Sequence, residues 1–311
     1  MVLRRQRNLK LFTVALSFFA ISITTFFMNY TQNSGSTVLS KFSEHFRRFM
    51  MNSKRPCGCE TCVADPEISS WFDERFNISI SPLLTKQNNV IPESVYKWWL
   101  TLQGETNPKD IYQVIEKLFE VIPGDLDFMD HSPYRCRSCA VVGNSGNLKN
   151  SHYGPEIDSH DLVLRTYGGK TTHHFVYPES VRDLQDNVTM ILIPFKTLDL
   201  QWIVTRPHSW DHQSILIYSP ELMKYVYDKW LFNHGRYPST GILSVIFALH
   251  VCDKVDLYGF GADSKGNWHH YWENNPSAGA FRQTGVHDGD FEANILANLT
   301  SINKVLMFSH R

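Results

Sequence analysis

Five short apolar runs, rich in β-branched residues and separated by longer mixed stretches, constrain this chain more than any other feature. They are Ala140–Val142, Asp161–Arg165, Met190–Pro194, Ser214–Tyr218 and Lys254–Gly261. Strands buried on both faces read as continuous apolar runs, and parallel strands need helical crossovers between them. Between the runs lie candidate helices. Pro108 to Val121 carries a helical stripe of Ile111, Val114, Ile115, Leu118 and Phe119. Pro238-Ser-Thr-Gly241 opens another, with Ser239 or Thr240 as its cap and Ile242, Val245, Ile246 and Leu249 as its apolar stripe. The pattern predicts an α/β fold with a mostly parallel sheet flanked by helices. A hydrophobic content of 42% supplies the core such a sheet needs and excludes disorder over the whole length.

The first 55 residues are different in kind. Arg4, Arg5, Arg7 and Lys10 precede a charge-free run from Leu11 to Met28, rich in Phe, Ile and Leu. At about 1.5 Å per residue the run spans about 27 Å, enough to cross a thin bilayer. A cleaved signal peptide is the rival reading, but the run is long for one and Phe26, Phe27, Met28 and Asn29 make a poor cleavage site. Basic residues stay cytoplasmic, so the expected topology is single-pass type II. Residues 1–10 read as the cytoplasmic tail, 11–28 as the signal anchor and 29–55 as a polar, basic stem. Residues 56–311 read as one lumenal domain. That domain carries 21 basic and 30 acidic side chains. Its acidity argues against nucleic acid as a partner, because phosphate binding needs a basic face.

A lumenal body fits two further patterns. Sequons occur at Asn29, Asn77, Asn187 and Asn298, each a weak signal alone. The six cysteines are stronger: Cys57, Cys59 and Cys62 cluster, followed by Cys136, Cys139 and Cys252. In an oxidising compartment they suggest three disulfides, with 15 ways to pair. A zinc site using Cys136-x-x-Cys139 is the competing pattern.

Chemistry concentrates at strand ends. Gly143-Asn144-Ser145-Gly146-Asn147 follows the first run directly, and in open α/β sheets ligands bind beyond the carboxyl ends of strands. Neither a dinucleotide fingerprint nor a phosphate-binding P-loop is present. The helix opened by Ser239 offers free N–H groups to an anion, and it leads into a strand ending Gly259-Phe-Gly261. Trp268-His-His-Tyr-Trp-Glu273 suits sugar stacking and phosphate contact. His287 stands in the acidic stretch Gly285–Glu292 and can act as a general base. Asp288-x-Asp290 has the look of a metal-binding pair, but such tripeptides are common and the adjacent His offers a metal-free route.

Four of these segments together resemble the sialyltransferases of glycosyltransferase family 29. Cys139-Ala-Val-Val-Gly-Asn-Ser-Gly-Asn147 resembles the large sialylmotif, and Gly235-Arg-Tyr-Pro-Ser-Thr-Gly-Ile-Leu243 through Cys252 to Gly261 the small one. His269-His-Tyr-Trp-Glu273 resembles the third motif, and His287-x4-Glu292 the very small motif. All four stand in the family's order, and the wording is nearest its β-galactoside α-2,3 branch. The resemblance implies a Rossmann-like variant of the GT-A fold in a Golgi membrane protein. It implies transfer of sialic acid from CMP-sialic acid to the 3-hydroxyl of galactose in Galβ1-3GalNAc on glycoproteins and glycolipids. Inversion at the anomeric carbon and no metal or other cofactor are expected.

By the same resemblance His287 is the general base and His270 meets the donor phosphate. Asn144, Ser239, Gly241 and Gly261 line the nucleotide site. Tyr237 lies beside the phosphate or acceptor, and Gln103 is an acceptor-side candidate. The family's disulfides, carried over, are Cys57–Cys62, Cys59–Cys136 and Cys139–Cys252. Two departures stand out. After Arg165 the sequence Thr166-Tyr-Gly-Gly169 replaces a longer family segment, with Tyr167 where an Asn holds the nucleotide. Val204 to Ser214 is shorter than its counterpart, which contributes an acceptor-site Tyr and a loop over the donor. These losses motivate an alternative: a sialyltransferase-like secretory protein that is impaired or inactive.

Overall fold

The computed structural model describes residues 21–23, 55–106, 108–165, 171–181, 187–205, 211–261 and 285–308. Within the first unit, Met1–Arg55, only 21–23, which is helical, and Arg55 are described. No helix among the described residues is long and apolar enough to cross a membrane. Most of the predicted anchor, the whole 29–54 stretch, and the segments 166–170 and 206–210 lie outside the described residues.

The second unit, Pro56–Arg311, is built on an eight-stranded sheet. Its strands are β1 (Leu83–Leu84), β2 (Ser138–Val142), β3 (Leu162–Arg165), β4 (His173–Val176), β5 (Thr189–Leu192), β6 (Ile215–Tyr218), β7 (Lys254–Tyr258) and β8 (Leu306–Phe308). The order across the sheet is β1-β6-β5-β4-β3-β2-β7-β8. Every neighbouring pair is parallel except β1 with β6. The five runs that predicted strands all form them. β1, β4 and β8 are additions: two-residue β1 and three-residue β8 carry too few alternations to be seen, and β4 begins on two histidines.

The helices are α1 (Ser70–Asp73), α2 (Glu93–Thr101), α3 (Ile111–Val121), α4 (Gly154–Asp158), α5 (Thr197–Val204), α6 (Pro220–Tyr225), α7 (Thr240–Val251) and α8 (Gly289–Ser301). The α3 stripe is as expected, with Ile111, Val114, Ile115 and Leu118 buried and Asp110 capping through the Tyr112 N–H. α7 differs from its expected stripe. Every residue from Ile242 to Val251 is buried, so it is a central helix covered on all sides, packed on β2 and β7. That is why its sequence is apolar on every face and reads poorly as amphipathic.

Six cysteines form three disulfides: Cys57–Cys62, Cys59–Cys136 and Cys139–Cys252. This is the pairing that the resemblance implies, and it consumes every sulfur that a zinc site would use. Cys139 and Cys252 join the start of β2 to the end of α7. Nearby, Arg135 forms a bidentate pair with buried Asp253, whose Oδ2 also accepts the Arg137 N–H.

Candidate active site

The strand order reverses between β2 and β7: β3 to β6 lie on one side and β8 on the other. A reversal of this kind opens a crevice at the carboxyl ends of the two strands. Both ends are glycine turns. The Gly143 N–H donates to the Tyr258 carbonyl at 2.8 Å, and the Ser145 N–H to the Gly259 carbonyl at 3.0 Å. The Ser145 hydroxyl donates to the Gly261 carbonyl, 3.0 Å away, and Asn147 Nδ2 reaches the same oxygen at 3.3 Å. A Cβ on Gly143 would stand 2.5 Å from the Gly259 oxygen. Gly259 has φ +69° and touches Leu148, so a side chain is excluded there twice. The predicted Asn144 is exposed at the tip of this turn.

The N-terminus of α7 faces the same end of the sheet. Ser239 is its N-cap, with Oγ accepting the Ile242 N–H at 3.2 Å. Thr240 and Gly241 follow in the first turn, whose amides have no intrahelical acceptor and favour an anion. A Cβ on Gly241 would stand 3.5 Å from the Phe260 ring, so the helix start lies in van der Waals range of the β7 turn.

A carboxylate locks this helix end from behind. Glu292, on α8, accepts both the Ser239 N–H at 2.8 Å and the Ser239 hydroxyl at 2.5 Å. Burial pushes its carboxyl up to about 7, opposed by the two Ser239 hydrogen bonds. The resemblance marked Glu292 as part of a motif; its partner, 53 residues away, is what the sequence alone did not reveal.

His287 stands just before α8. Its Nδ1 lies 2.8 Å from the Tyr237 carbonyl. A carbonyl only accepts, so Nδ1 carries the hydrogen and the lone pair of neutral imidazole is on Nε2. Burial lowers the His287 pKa, against a raising contribution from the Tyr237 carbonyl, and so favours the neutral form. The Tyr237 ring packs edge-on to the imidazole at 5.0 Å. Gly235, at φ +73°, lets the preceding loop lie against 286–288, where a Cβ would meet the Asp288 nitrogen at 2.9 Å. Asp288 is fully used: one oxygen caps α8 through the Phe291 N–H, and the other pairs with His234. It is therefore a poor half of the Asp288-x-Asp290 metal pair considered from sequence.

Beyond Tyr237 the site continues through Phe195, whose ring is 5.2 Å away. Lys196 follows, and its ammonium donates to Gln103 Oε1 at 2.8 Å and Glu179 Oε1 at 2.9 Å. Asn144, Ser239, Gly241, Gly261, Tyr237 and His287 thus gather beyond the carboxyl ends of β2 and β7, and Gln103 joins them through Lys196 and Phe195. His270 and the Trp268–Glu273 stretch lie outside the described residues.

Residues 83–304 match Glycosyltransferase family 29 (sialyltransferase). The chain is 54% identical to CMP-N-acetylneuraminate-beta-galactosamide-alpha-2,3-sialyltransferase 1 of Gallus gallus over 344 aligned positions, covering all of both chains. The Homo sapiens protein of that name is 52% identical over 344 positions, again over all of both. The type 2 enzyme of Mus musculus is 46% identical, over 82% of this chain and 80% of its own. Among solved structures, a mammalian sialyltransferase in complex with Gal-beta-1-3GalNAc-ortho-nitrophenol superposes with a TM-score of 0.76 at 53% identity, over 82% of this chain and all of that one. The alignments to the chicken and human proteins are longer than the 311 residues of this chain, so part of each has no counterpart here. With its motifs in order, its fold shared with a solved relative and residues 83–304 matched to the family, the chain belongs to glycosyltransferase family 29, the sialyltransferases.

Proposed function

We propose that the protein transfers sialic acid from CMP-sialic acid to the 3-hydroxyl of the terminal galactose in Galβ1-3GalNAc, on O-glycans of glycoproteins and on glycolipids. The observation that carries the mechanism is His287, whose Nδ1–H is donated to the Tyr237 carbonyl, which makes Nε2 the basic nitrogen of the neutral ring. Nε2 takes the proton from the galactose hydroxyl as its oxygen attacks the sialyl anomeric carbon. The bond to CMP breaks on the opposite face, which inverts the centre.

Negative charge then grows on the phosphate. The first-turn amides of α7, with Ser239 and Gly241, favour that charge, and His270 donates to it by the family's pattern. The Gly143–Ser145 turn with Asn144, and Gly261 opposite, cradle the nucleotide. Tyr237 and Gln103 receive the acceptor. CMP leaves with a single phosphate, so helix amides and histidine suffice and no metal is required. The catalytic domain works in the Golgi lumen, and Leu11–Met28 anchors it as a type II protein.

The test is transfer of labelled sialic acid from CMP-sialic acid to Galβ1-3GalNAc by the detergent-solubilised full chain, with EDTA present. Transfer is expected. Folded, disulfide-bonded protein that transfers nothing would favour the inactive alternative. It would implicate the shortened segments after Arg165 and Val204.

A further inference from the structure

One cation sits at the acceptor side of the crevice without a place in the chemistry above. Lys196 follows β5 and is the N-cap residue of α5. Its ammonium donates to Gln103 Oε1 and Glu179 Oε1, and lies 3.7 Å from the buried carboxylate of Asp199. Asp199 itself is tied down, its Oδ2 accepting the Phe195 N–H at 2.7 Å and the Lys196 N–H at 3.2 Å. The backbone under Lys196 is therefore fixed. Its neighbour Thr197 is fixed too, its N–H and hydroxyl both donating to Glu105, two residues from Gln103. The indole N–H of Trp99 donates to the Pro194 carbonyl at 2.7 Å. These two clamps hold α2 and the residues after it against the segment that joins β5 to α5.

Gln103 is the exposed residue between these clamps, and a free carboxamide there would turn either way. An ammonium has donors only, so it selects the oxygen of the amide. We infer that Lys196 is a positioning residue for the acceptor: it holds Gln103 by Oε1 and so presents the Nε2 donor toward the sugar. The sugar atom it meets must then be a hydrogen-bond acceptor, a hydroxyl or glycosidic oxygen. This inference rests on the acceptor role given to Gln103 in the proposed function.

The experiment measures equilibrium binding of Galβ1-3GalNAc to the full-length protein by saturation-transfer NMR titration, with turnover and unfolding temperature recorded separately. Lys196→Met is expected to weaken binding about fivefold to tenfold, the worth of one oriented hydrogen bond. Lys196→Arg, which can still donate to both oxygens, is expected to recover most of it. Glu179→Gln keeps the contact to Gln103 and should change affinity less than twofold. Gln103→Ala should match Lys196→Met, and the double variant should be no weaker than either alone.

Unchanged affinity in a folded Lys196→Met variant would overturn the inference. So would additive losses, or equal losses in Lys196→Met and Glu179→Gln, which would mark a merely structural ion-pair network. Wild-type protein that binds the disaccharide without turning over would sink the transferase reading and leave the positioning test standing. Wild-type protein that does not bind the disaccharide would overturn both.

Discussion

The two sides of the crevice are built from different materials. The side proposed for the donor is mostly backbone: the turns after β2 and β7 and the first turn of α7, with the buried Glu292 carboxylate behind it. The side proposed for the acceptor is side chain: Gln103 is held by Lys196, which Glu179 also pairs at the surface. Backbone amides in packed turns cannot reorient without moving a strand, whereas long side chains cost conformational entropy to hold. A nucleotide monophosphate, identical in every turnover, suits the first construction. Glycans attached to many carriers suit the second. His287 belongs to both sides, since its hydrogen bond goes to Tyr237, two residues before the α7 cap.

The comparison can be broken at several strengths. Replacing the base should do most. His287→Ala is expected to lower kcat by about 10²–10⁴-fold with the fold retained. A single-turnover assay at saturating donor and acceptor checks this. Because burial lowers the His287 pKa, the acidic fall in the wild-type rate should have its midpoint below that of an ordinary imidazole.

Next is Gly143→Ala, whose new Cβ would stand 2.5 Å from a backbone oxygen. Overpacking of this kind costs about 3 kcal/mol, visible as a lower midpoint in urea. The same change also spreads the two turns, so donor affinity should fall while acceptor affinity holds.

Glu292 gives a pH dependence. Its carboxyl is raised from the usual value to about 7. Its contribution to stability is therefore full below about pH 4.5 and is lost as the pH rises through 7. Unfolding measured from pH 5 to 8 should show a decline of the order of 1–3 kcal/mol, and Glu292→Gln should flatten it. Ser239→Ala, which loses the cap and one partner of Glu292, should cost about 1–2 kcal/mol at fixed pH. The smallest effect sharpens the contrast. Gln103→Ala should leave stability within about 0.5 kcal/mol, because the exposed residue only decorates a clamped backbone.

The turns and the helix cap proposed for the donor were readable from local sequence, whereas Tyr237 and Gln103 came only from the resemblance. Gly143–Asn147 and Gly259–Gly261 announce themselves because tight turns restrict residue type. Ser239 announces itself because caps do. Lys196 carries no such mark: a lysine after Pro194 and Phe195 looks like any solvated charge until the fold brings Gln103 to it across 93 residues. Asp199 shares that silence, and so does the pairing of Glu292 with Ser239, since what a buried carboxylate meets is a property of what packs around it. The short edge strands were missed for a simpler reason. Leu83–Leu84 and Leu306–Phe308 are too brief to show a period, and β8 is exposed at its start.

The disulfides fix where the chain enters this domain. Cys59 is bonded to Cys136, Cys139 to Cys252, and the Val63 N–H donates to the Asp253 carbonyl. Lys304 then donates to the Val63 and Asp65 carbonyls, at 2.7 Å and 2.5 Å, bringing the last helix to the same place. All of these lie at the amino ends of β2 and β7, about 16 Å along five-residue strands from the glycine turns. A polypeptide arriving at Pro56 is thus stapled to the back of the domain. Reducing Cys59–Cys136 or Cys139–Cys252 would therefore loosen the amino ends of β2 and β7, a full strand length away from the glycine turns.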